Sequence, residues 1–214
     1  MIDEAREEPR LIGSAGQPIV LASASITRRR LLEGAGVPHV IEASRVDEDE
    51  IKTSLRAEGA PGSDIAEVLA EAKAVYVGRK HPDKMVLGAD QVLECDGRTF
   101  DKPVDREDAL GQLQALRGKR HSLISYAVIV RGGGRIWQAV DRATLEVRAD
   151  ASDDFLNAYL DAAGSDAFNG PGGYRIESLG AQLFSRVDGS HFTILGLPLL
   201  ALLDYLRANG VLET

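Results

Sequence analysis

Cysteine, aromatic residues and long apolar runs are all scarce in this sequence of 214 residues. Its single cysteine, Cys95, cannot form an internal disulfide or build a zinc cluster, which is typical of a reducing compartment. The longest apolar stretch, residues 195–203, is interrupted by Gly196 and Pro198 and is far shorter than the roughly 20 residues of a membrane span. The acidic beginning, residues 1–10, lacks the apolar segment of a secretory signal. We therefore expect a soluble protein of the cytoplasm.

Basic side chains are outnumbered, with 25 Lys and Arg against 33 Asp and Glu, so the net charge is −8. A chain with this charge binds polyanions poorly unless it has a local basic patch, and an aromatic content of 5% offers few platforms for stacking bases. We therefore expect no nucleic acid and no membrane among its partners. The length and the hydrophobic content of 44% predict one domain over residues 19–214, preceded by a flexible polar extension over residues 1–18.

The pattern of apolar residues predicts a mixed α/β fold. Strands are expected at Ile19–Ala22, Val37–Ala43, Met85–Leu87, Gln91–Cys95, Ser122–Val130, Arg135–Val147 and Ala181–Val187. Helices are expected at Ile26–Ala35, Ile65–Val77, Asp105–Leu116, Ser152–Ala162 and Leu197–Ala208. Glycines 132–134 join the two longest strands as a hairpin, whereas the first part of the chain alternates strands and helices. Together these features indicate a sheet with both parallel and antiparallel pairs.

The strand–turn–helix segment 19–35 carries the first candidate site. A helix begins with unpaired N–H groups and a partial positive charge, and here three consecutive arginines add to that charge. Such a cluster favours a bound anion, for example a phosphate held by Ser23, the backbone donors and the guanidinium groups. Successive helical residues point about 100° apart, so we expect Arg28 and Arg29 to face the anion and Arg30 to face outward. A basic surface in contact only with water is the alternative.

Asp90 is the second candidate. It follows the apolar run 85–87 in the sequence Gly88-Ala89-Asp90-Gln91, which we interpret as a turn at the end of a strand. A carboxylate in that place can activate a water molecule or hold a metal ion. The alternative is an aspartate that only accepts hydrogen bonds from its own turn.

Three further charged residues and one acidic run each have a functional and an ordinary interpretation. Lys102 is directed by the proline that follows it, or belongs to a plain loop. Lys73 lies in an apolar helix segment, where it contacts a phosphate or extends to water. The acidic residues 47–50 gather divalent cations together with Asp90, or are solvated. Glu177 follows a glycine-rich loop, where it recognises a flat ligand with N–H edges or lies on the surface.

Several ordered blocks of the sequence together resemble the Maf family of nucleoside triphosphate pyrophosphatases. The blocks are LASAS with the arginine pair, LLEGAG, VDE, LAEAKA, GADQV, KP, the glycine loop with Glu177, and LGLPL, and they extend from about Ile19 to about Gly210. The resemblance implies an elongated mixed β-sheet with flanking helices and a central cleft between two lobes, similar to the inosine-triphosphatase fold. It also implies a metal-dependent hydrolase of the cytoplasm that releases pyrophosphate from a nucleoside triphosphate, and a homodimer.

The resemblance, with the arguments above, assigns residues to roles. The catalytic residues are Asp90, as the general base, and Lys102. The substrate-binding residues are Ser23, Arg28, Arg29, Lys73, Gln91 and Glu177. A divalent cation, Mg²⁺ or Mn²⁺, is expected on Glu48 and Asp90.

The spacing of the arginine pair, together with Gln91 and Glu177, is similar to the branch of the family that prefers 7-methyl-GTP. Members of that branch often carry Trp where this chain has Thr27. A carboxylate at position 177 accepts hydrogen bonds from the N1–H and N2–H₂ groups of guanine, so we expect a modified purine nucleotide as substrate and the removal of non-canonical nucleotides as its purpose. The rival function is a nucleotide-binding regulator of cell division that does not require turnover.

Overall fold

The computed structural model of the chain describes residues 16–213, so most of the expected extension over residues 1–18 lies outside the described residues. The strands are β1 (Ile19–Leu21), β2 (His39–Ile41), β3 (Val86–Cys95), β4 (Arg98–Phe100), β5 (Arg120–Arg131), β6 (Gly134–Val147) and β7 (Phe184–Asp188). The α-helices are α1 (Ile26–Gly34), α2 (Glu48–Ala57), α3 (Gly62–Gly78), α4 (Arg106–Leu116), α5 (Asp153–Ala163), α6 (His191–Ile194) and α7 (Leu199–Ala208). Short 3-10 helices lie at Gly164–Phe168, Pro171–Gly173 and Leu179–Leu183.

A seven-stranded mixed sheet organises the chain, in the order β2-β1-β3-β5-β6-β7, with β4 paired to β3. Strand β1 runs parallel to β2 and to β3, whereas β3–β5, β5–β6 and β6–β7 are antiparallel pairs. The mixed α/β prediction is confirmed, and so is the hairpin between the two longest strands. Helix α2 was not expected, because its first turn is a run of acidic residues; Asp47 caps it by accepting from the Glu50 N–H at 3.1 Å.

Strand β3 corrects the expected turn at Gly88. The strand runs without interruption through Gly88, Ala89 and Asp90, and Asp90 lies opposite Tyr126 of β5 in the ladder. The glycine is required because helix α3 crosses closely: a Cβ at position 88 would lie 2.1 Å from the Ala70 carbonyl oxygen. The Gly88-Ala89-Asp90 sequence, which predicted a turn, therefore marks a point where a helix packs closely on a strand.

The two faces of the central strands belong to different apolar clusters, as a period of two requires. Leu87 of β3 and Ile129 of β5 pack with helices α1 and α7, whereas Val86 and Val128 pack with α3. Tyr126, for which the sequence suggested no role, is buried in the cluster under α3. A further cluster lies beneath α4 and α5. Over residues 16–213, every helix is too short or too polar to cross a membrane.

Candidate active site

A cleft of about 1000 Å³ lies where the β1–α1 turn, strand β3, helix α2 and the loop after β4 meet. Both acidic and basic side chains line it. The predicted site residues that it brings together are Ser23, Arg28, Glu48, Lys73, Asp90, Gln91, Lys102 and Glu177. Residues separated by more than 150 positions in the sequence thus share one surface.

Arg28 is the buried cation at the start of helix α1. Ser25 caps the helix, because its hydroxyl accepts from the Arg28 N–H at 3.3 Å. The Arg28 guanidinium donates from Nε to the Gly196 carbonyl oxygen at 2.8 Å and from NH1 to the Ser23 hydroxyl at 3.2 Å. Burial lowers the pKa of Arg28, and the charges of Asp90 and Glu48 oppose that change. Arg28 is therefore both part of the cleft and part of the packing beneath it.

The next two arginines line the cleft differently from the expectation. Arg30 lines the cleft, whereas Arg29 turns along the helix surface to Glu33, with Nε 3.4 Å from Oε1. The exposure of the pair, with about half of each side chain accessible, leaves Arg29 with the ordinary role of a surface i,i+4 partner. Helical spacing alone could not decide which of the two arginines lines the cleft, because that depends on how α1 is rotated against the sheet.

Lys73 joins two carboxylates at the centre of the cleft. Its ammonium lies 2.7 Å from Asp90 Oδ1 and 2.9 Å from Glu48 Oε1. Lys73 and Asp90 are each only 6% exposed, so this pair is largely out of water. Burial raises the pKa of Asp90, even though Lys73 and Arg28 both favour the charged form. A carboxylate in such surroundings can accept a proton from a water molecule held against it.

The donor set around Lys73 determines what kind of metal ion could bind. Among residues 16–213, no group of three or more His, Cys, Asp or Glu side chains forms a metal site by itself. Glu48 and Asp90 nevertheless supply two carboxylates that approach a common point. Mg²⁺ is usually held by one or two carboxylates, with water and substrate phosphates completing its shell. The pair fits an ion of that kind and does not form a closed protein cage.

Lys102 faces the same cleft from the loop after β4. Pro103, the residue after it, is buried and anchors the loop. The cleft walls partly desolvate the Lys102 ammonium, and this desolvation, with the positive charge of Arg28, lowers the pKa of Lys102.

Gln91 is held by the main chain of helix α6. Its side-chain NH₂ group donates to the carbonyl oxygens of Thr193 at 2.8 Å and Ile194 at 3.0 Å, and to the Ser125 hydroxyl at 3.1 Å. These acceptors fix the orientation of the amide, since its oxygen would be repelled by two carbonyl groups. Ser125 and Thr193 were not predicted for the site, because the ladder register of β3 and β5 brings Ser125 to Gln91 and the packing of α6 brings Thr193 there.

Glu177 lies in the cleft beside Arg175, a cation that the sequence motifs did not predict. Its Oε1 accepts from Arg175 Nε at 3.0 Å and from Arg175 NH2 at 2.8 Å. Arg175 also approaches Asp166 at 3.5 Å. The Glu177 carboxylate therefore meets a ligand with one of its oxygens already paired.

Two basic residues of helix α2 were also missed. Lys52 and Arg56 line the cleft, and both contact Asp101, the residue before Lys102. Their i,i+4 spacing, directly after the acidic run, places both side chains on one face of a helix. This signal can be used only when residues 48–57 are recognised as a helix.

Comparison with known proteins supports one family. The profile described as Maf-like protein matches residues 18–209. A nucleoside triphosphate pyrophosphatase of Paramagnetospirillum magneticum is 50% identical over 193 residues, which cover 90% of this chain and 99% of that protein. Nucleoside triphosphate pyrophosphatases of Ruegeria pomeroyi and Rhodospirillum rubrum are 46% and 45% identical, over 92% and 91% of this chain and 98% and 96% of theirs.

Proposed function

The chain belongs to the Maf family, and from this membership we propose the substrate and the residue roles of its cleft. It is a nucleoside triphosphate pyrophosphatase. The proposed substrate is a modified purine nucleotide of the 7-methyl-GTP kind, cleaved between the α and β phosphates to the monophosphate and pyrophosphate. The proposed purpose is the removal of non-canonical nucleotides. The observation that carries the proposal is the buried Asp90 beside Lys73, in a cleft whose walls also present Arg28 and Lys102.

The triphosphate is placed across the beginning of helix α1. The free N–H groups of the first turn and the Ser23 hydroxyl donate to phosphate oxygens, and Arg28, Lys73 and Lys102 supply positive charge. These cations concentrate an anionic substrate locally, although the whole chain carries a charge of −8. Arg30, which lines the cleft, takes the substrate-facing place that was expected for Arg29.

Asp90 is the proposed general base. It accepts a proton from a water molecule, the water oxygen forms a bond to the α-phosphorus, and the bond from that phosphorus to the bridging oxygen breaks. The leaving pyrophosphate takes the electron pair of that bond. Lys102 and Arg28 offset the negative charge that develops on it.

Glu48 and Asp90 are the proposed holders of a Mg²⁺ or Mn²⁺ ion, which when bound neutralises charge on the phosphate oxygens. Both carboxylates lie within 2.9 Å of the Lys73 ammonium, so they are close enough together to share one ion, which supports this assignment. We expect Glu48→Gln to raise the half-saturating Mg²⁺ concentration and to weaken Mn²⁺ binding in a titration without nucleotide. Unchanged Mn²⁺ affinity in that variant contradicts the role of Glu48.

Glu177 is the proposed determinant of base preference. A carboxylate accepts from both N–H groups of a guanine edge and is attracted to the positive ring of 7-methylguanine, whereas it repels the carbonyl groups of uracil and thymine. The hydrogen bond from Arg175 fixes the orientation of this carboxylate. Such pairing discriminates because a base that lacks these N–H groups covers the carboxylate without donating to it.

A pyrophosphate-release series tests this preference. We expect 7-methyl-GTP or another modified purine nucleotide to have a higher kcat/KM than dTTP, UTP and CTP, with Mg²⁺ or Mn²⁺ present. Glu177→Gln should narrow that difference. Asp166→Asn is the matched control, because Asp166 also contacts Arg175 and lines the cleft.

The outcomes separate the proposals. Faster cleavage of dTTP or UTP than of every guanine nucleotide contradicts the base preference and leaves the pyrophosphatase activity in place. Nucleotide binding without pyrophosphate release from any triphosphate favours the regulatory function instead. The homodimer and the cytoplasmic location stay predictions, and sedimentation equilibrium of the purified chain tests the dimer.

A further inference from the structure

Helix α2 carries Glu48 into the cleft although every residue of this helix is at least partly exposed. On one side, Ile51 and Leu55 pack partially against the cluster under α3. Partial packing of two apolar side chains restrains a ten-residue helix weakly. Further contacts are needed to hold the Glu48 carboxylate 2.9 Å from Lys73.

Asp101 provides those contacts from the opposite wall. Its Oδ1 lies 3.0 Å from Lys52 Nζ, and its Oδ2 accepts from Arg56 NH1 at 2.7 Å. Arg56 Nε also donates to the Thr99 hydroxyl at 2.9 Å. Lys52 and Arg56 are four residues apart on one face of α2, so a single carboxylate engages two successive turns of the helix.

The charge state of Asp101 suits this arrangement. Burial alone would raise the pKa of Asp101, but the hydrogen bonds from Arg56 and Lys52 outweigh burial and lower it. The carboxylate is therefore ionised at neutral pH and keeps both cations in place. Each of its two oxygens contacts a different side chain of α2, which restrains both the rotation of the helix and the distance of the helix from Asp101.

Asp101 connects helix α2 to the loop after β4 because of its position in the chain. Thr99 belongs to β4, which pairs with β3, and Lys102 follows Asp101 directly. Through Asp101, the helix that carries Glu48 is bound to the loop that carries Lys102. We propose that Asp101 is a positioning residue that keeps Glu48 and Lys102 in fixed positions relative to each other in the cleft. This inference rests on the roles proposed above for those two residues.

A different role for the same contacts predicts the opposite effect. If Lys52 and Arg56 bind the triphosphate directly, Asp101 only neutralises them in the empty cleft. Removing the Asp101 charge would then free two cations and lower KM for the nucleotide. If Asp101 is a positioning residue, the same change lowers kcat, because small displacements of groups around a reacting centre can cost up to about a hundredfold in rate.

The test uses Asp101→Asn, Asp101→Glu, the double variant Lys52→Gln/Arg56→Gln and the triple variant that adds Asp101→Asn. We expect Asp101→Asn to lower kcat about ten- to a hundredfold, with KM changed less than about threefold. Asp101→Glu, which keeps the carboxylate, should recover most of the rate. The kcat of the double variant should fall as much as that of Asp101→Asn. The kcat of the triple variant should fall no further, because all three variants break the same set of contacts.

Asp161→Asn is the matched control. Asp161 accepts from Arg106 Nε at 3.1 Å and from NH2 at 2.6 Å, and this exposed pair joins α4 to α5 away from the cleft. Both Asn variants should have melting temperatures close to that of the wild type, since exposed ion pairs contribute little to stability. Amide hydrogen exchange should become faster in α2 for Asp101→Asn only.

Three results overturn the inference: a lower KM with unchanged kcat in Asp101→Asn, additive losses in the triple variant, or equal effects in Asp161→Asn. Glu48→Gln and Lys102→Ala are measured in parallel. If they lose activity while Asp101→Asn keeps wild-type kcat and α2 exchange, only the positioning role fails. If they keep wild-type kinetics, the roles proposed for Glu48 and Lys102 fail as well.

Discussion

The Lys73 ammonium lies 2.7 Å from the Asp90 carboxylate, and helix α3 and strand β3 bury both side chains. The two residues are neighbours because α3 packs directly on β3, where Gly88 allows the close approach. Burial raises the pKa of Asp90, whereas the adjacent cation favours its ionised form. The pair therefore joins a basic carboxylate to a positive charge at a buried part of the cleft lining.

Replacement of Asp90 by Asn should separate binding from turnover. Asp90→Asn keeps the size of the side chain and removes its basicity, and the loss of a general base lowers rates by about 10²- to 10⁴-fold. Calorimetric titration should show nucleotide binding close to that of the wild type. The exposed Asp49, which also lines the cleft, is the control, and Asp49→Asn should retain turnover. Wild-type turnover in purified Asp90→Asn would remove this residue from the mechanism.

Arg28 and Lys102 should respond differently to truncation, although both line the cleft. Arg28→Ala deletes two buried hydrogen bonds, to Gly196 and Ser23, and leaves the Gly196 carbonyl without its donor. We expect a loss of about 1–3 kcal/mol in the free energy of unfolding, together with weaker nucleotide binding. Lys102→Ala should weaken binding or turnover about ten- to a few-hundredfold, from one or two lost charge-assisted bonds, with little change in stability.

Urea titrations and kinetics on the same preparations check this contrast. An Arg28→Ala protein as stable as the wild type would mean that its buried bonds contribute nothing net. A Lys102→Ala protein with wild-type kinetics would place Lys102 outside the reaction.

The lowered pKa of Lys102 predicts that nucleotide binding weakens at alkaline pH. Only the protonated ammonium attracts a phosphate, so binding should weaken as pH rises through a pKa below the ordinary value of 10.5 for lysine. Lys102→Arg should remove this limit, because a guanidinium stays protonated at these pH values. Profiles of log kcat/KM against pH for the two proteins test the assignment, and identical alkaline limbs would refute it.

His121 should make the fold sensitive to acid. Burial lowers the pKa of His121 to about 4, and its Nε2 lies 2.7 Å from the Tyr174 hydroxyl. An unfolded histidine protonates near pH 6.5, so the unfolded state binds a proton that the native state excludes between the two values. Stability contributed by the neutral ring is present above about pH 6.5 and is lost as pH falls towards 4, on the order of 3 kcal/mol in total.

The unfolding free energy at several pH values measures this loss. His121→Gln should flatten the dependence between pH 6.5 and 4, whereas His191→Gln, at an exposed position, should not. Equal slopes in the wild type and His121→Gln would show that another group controls acid sensitivity.

Local features of the sequence were sufficient for much of the fold. Ser25 and Ser152 cap helices where the sequence places a short hydroxyl residue before an apolar period, accepting from Arg28 N at 3.3 Å and Phe155 N at 3.1 Å. The three glycines between two long β-rich runs predicted the hairpin of β5 and β6. Capping, side-chain period and turn chemistry act over a few residues, so a short window contains all the information they need.

The sequence by itself therefore determined the order of most elements, the helix start at Ser23–Arg28 at which we propose that phosphate binds, and the residue types of the cleft. Only the tertiary structure decided that Asp90 lies within a strand, that Arg30 instead of Arg29 lines the cleft, and that Asp101 joins the two walls. Each of these depends on ladder register or on the rotation of a helix against the sheet. Register and rotation are set by packing between segments far apart in the chain, and Arg28 shows this most directly, since its buried partner Gly196 is 168 residues away.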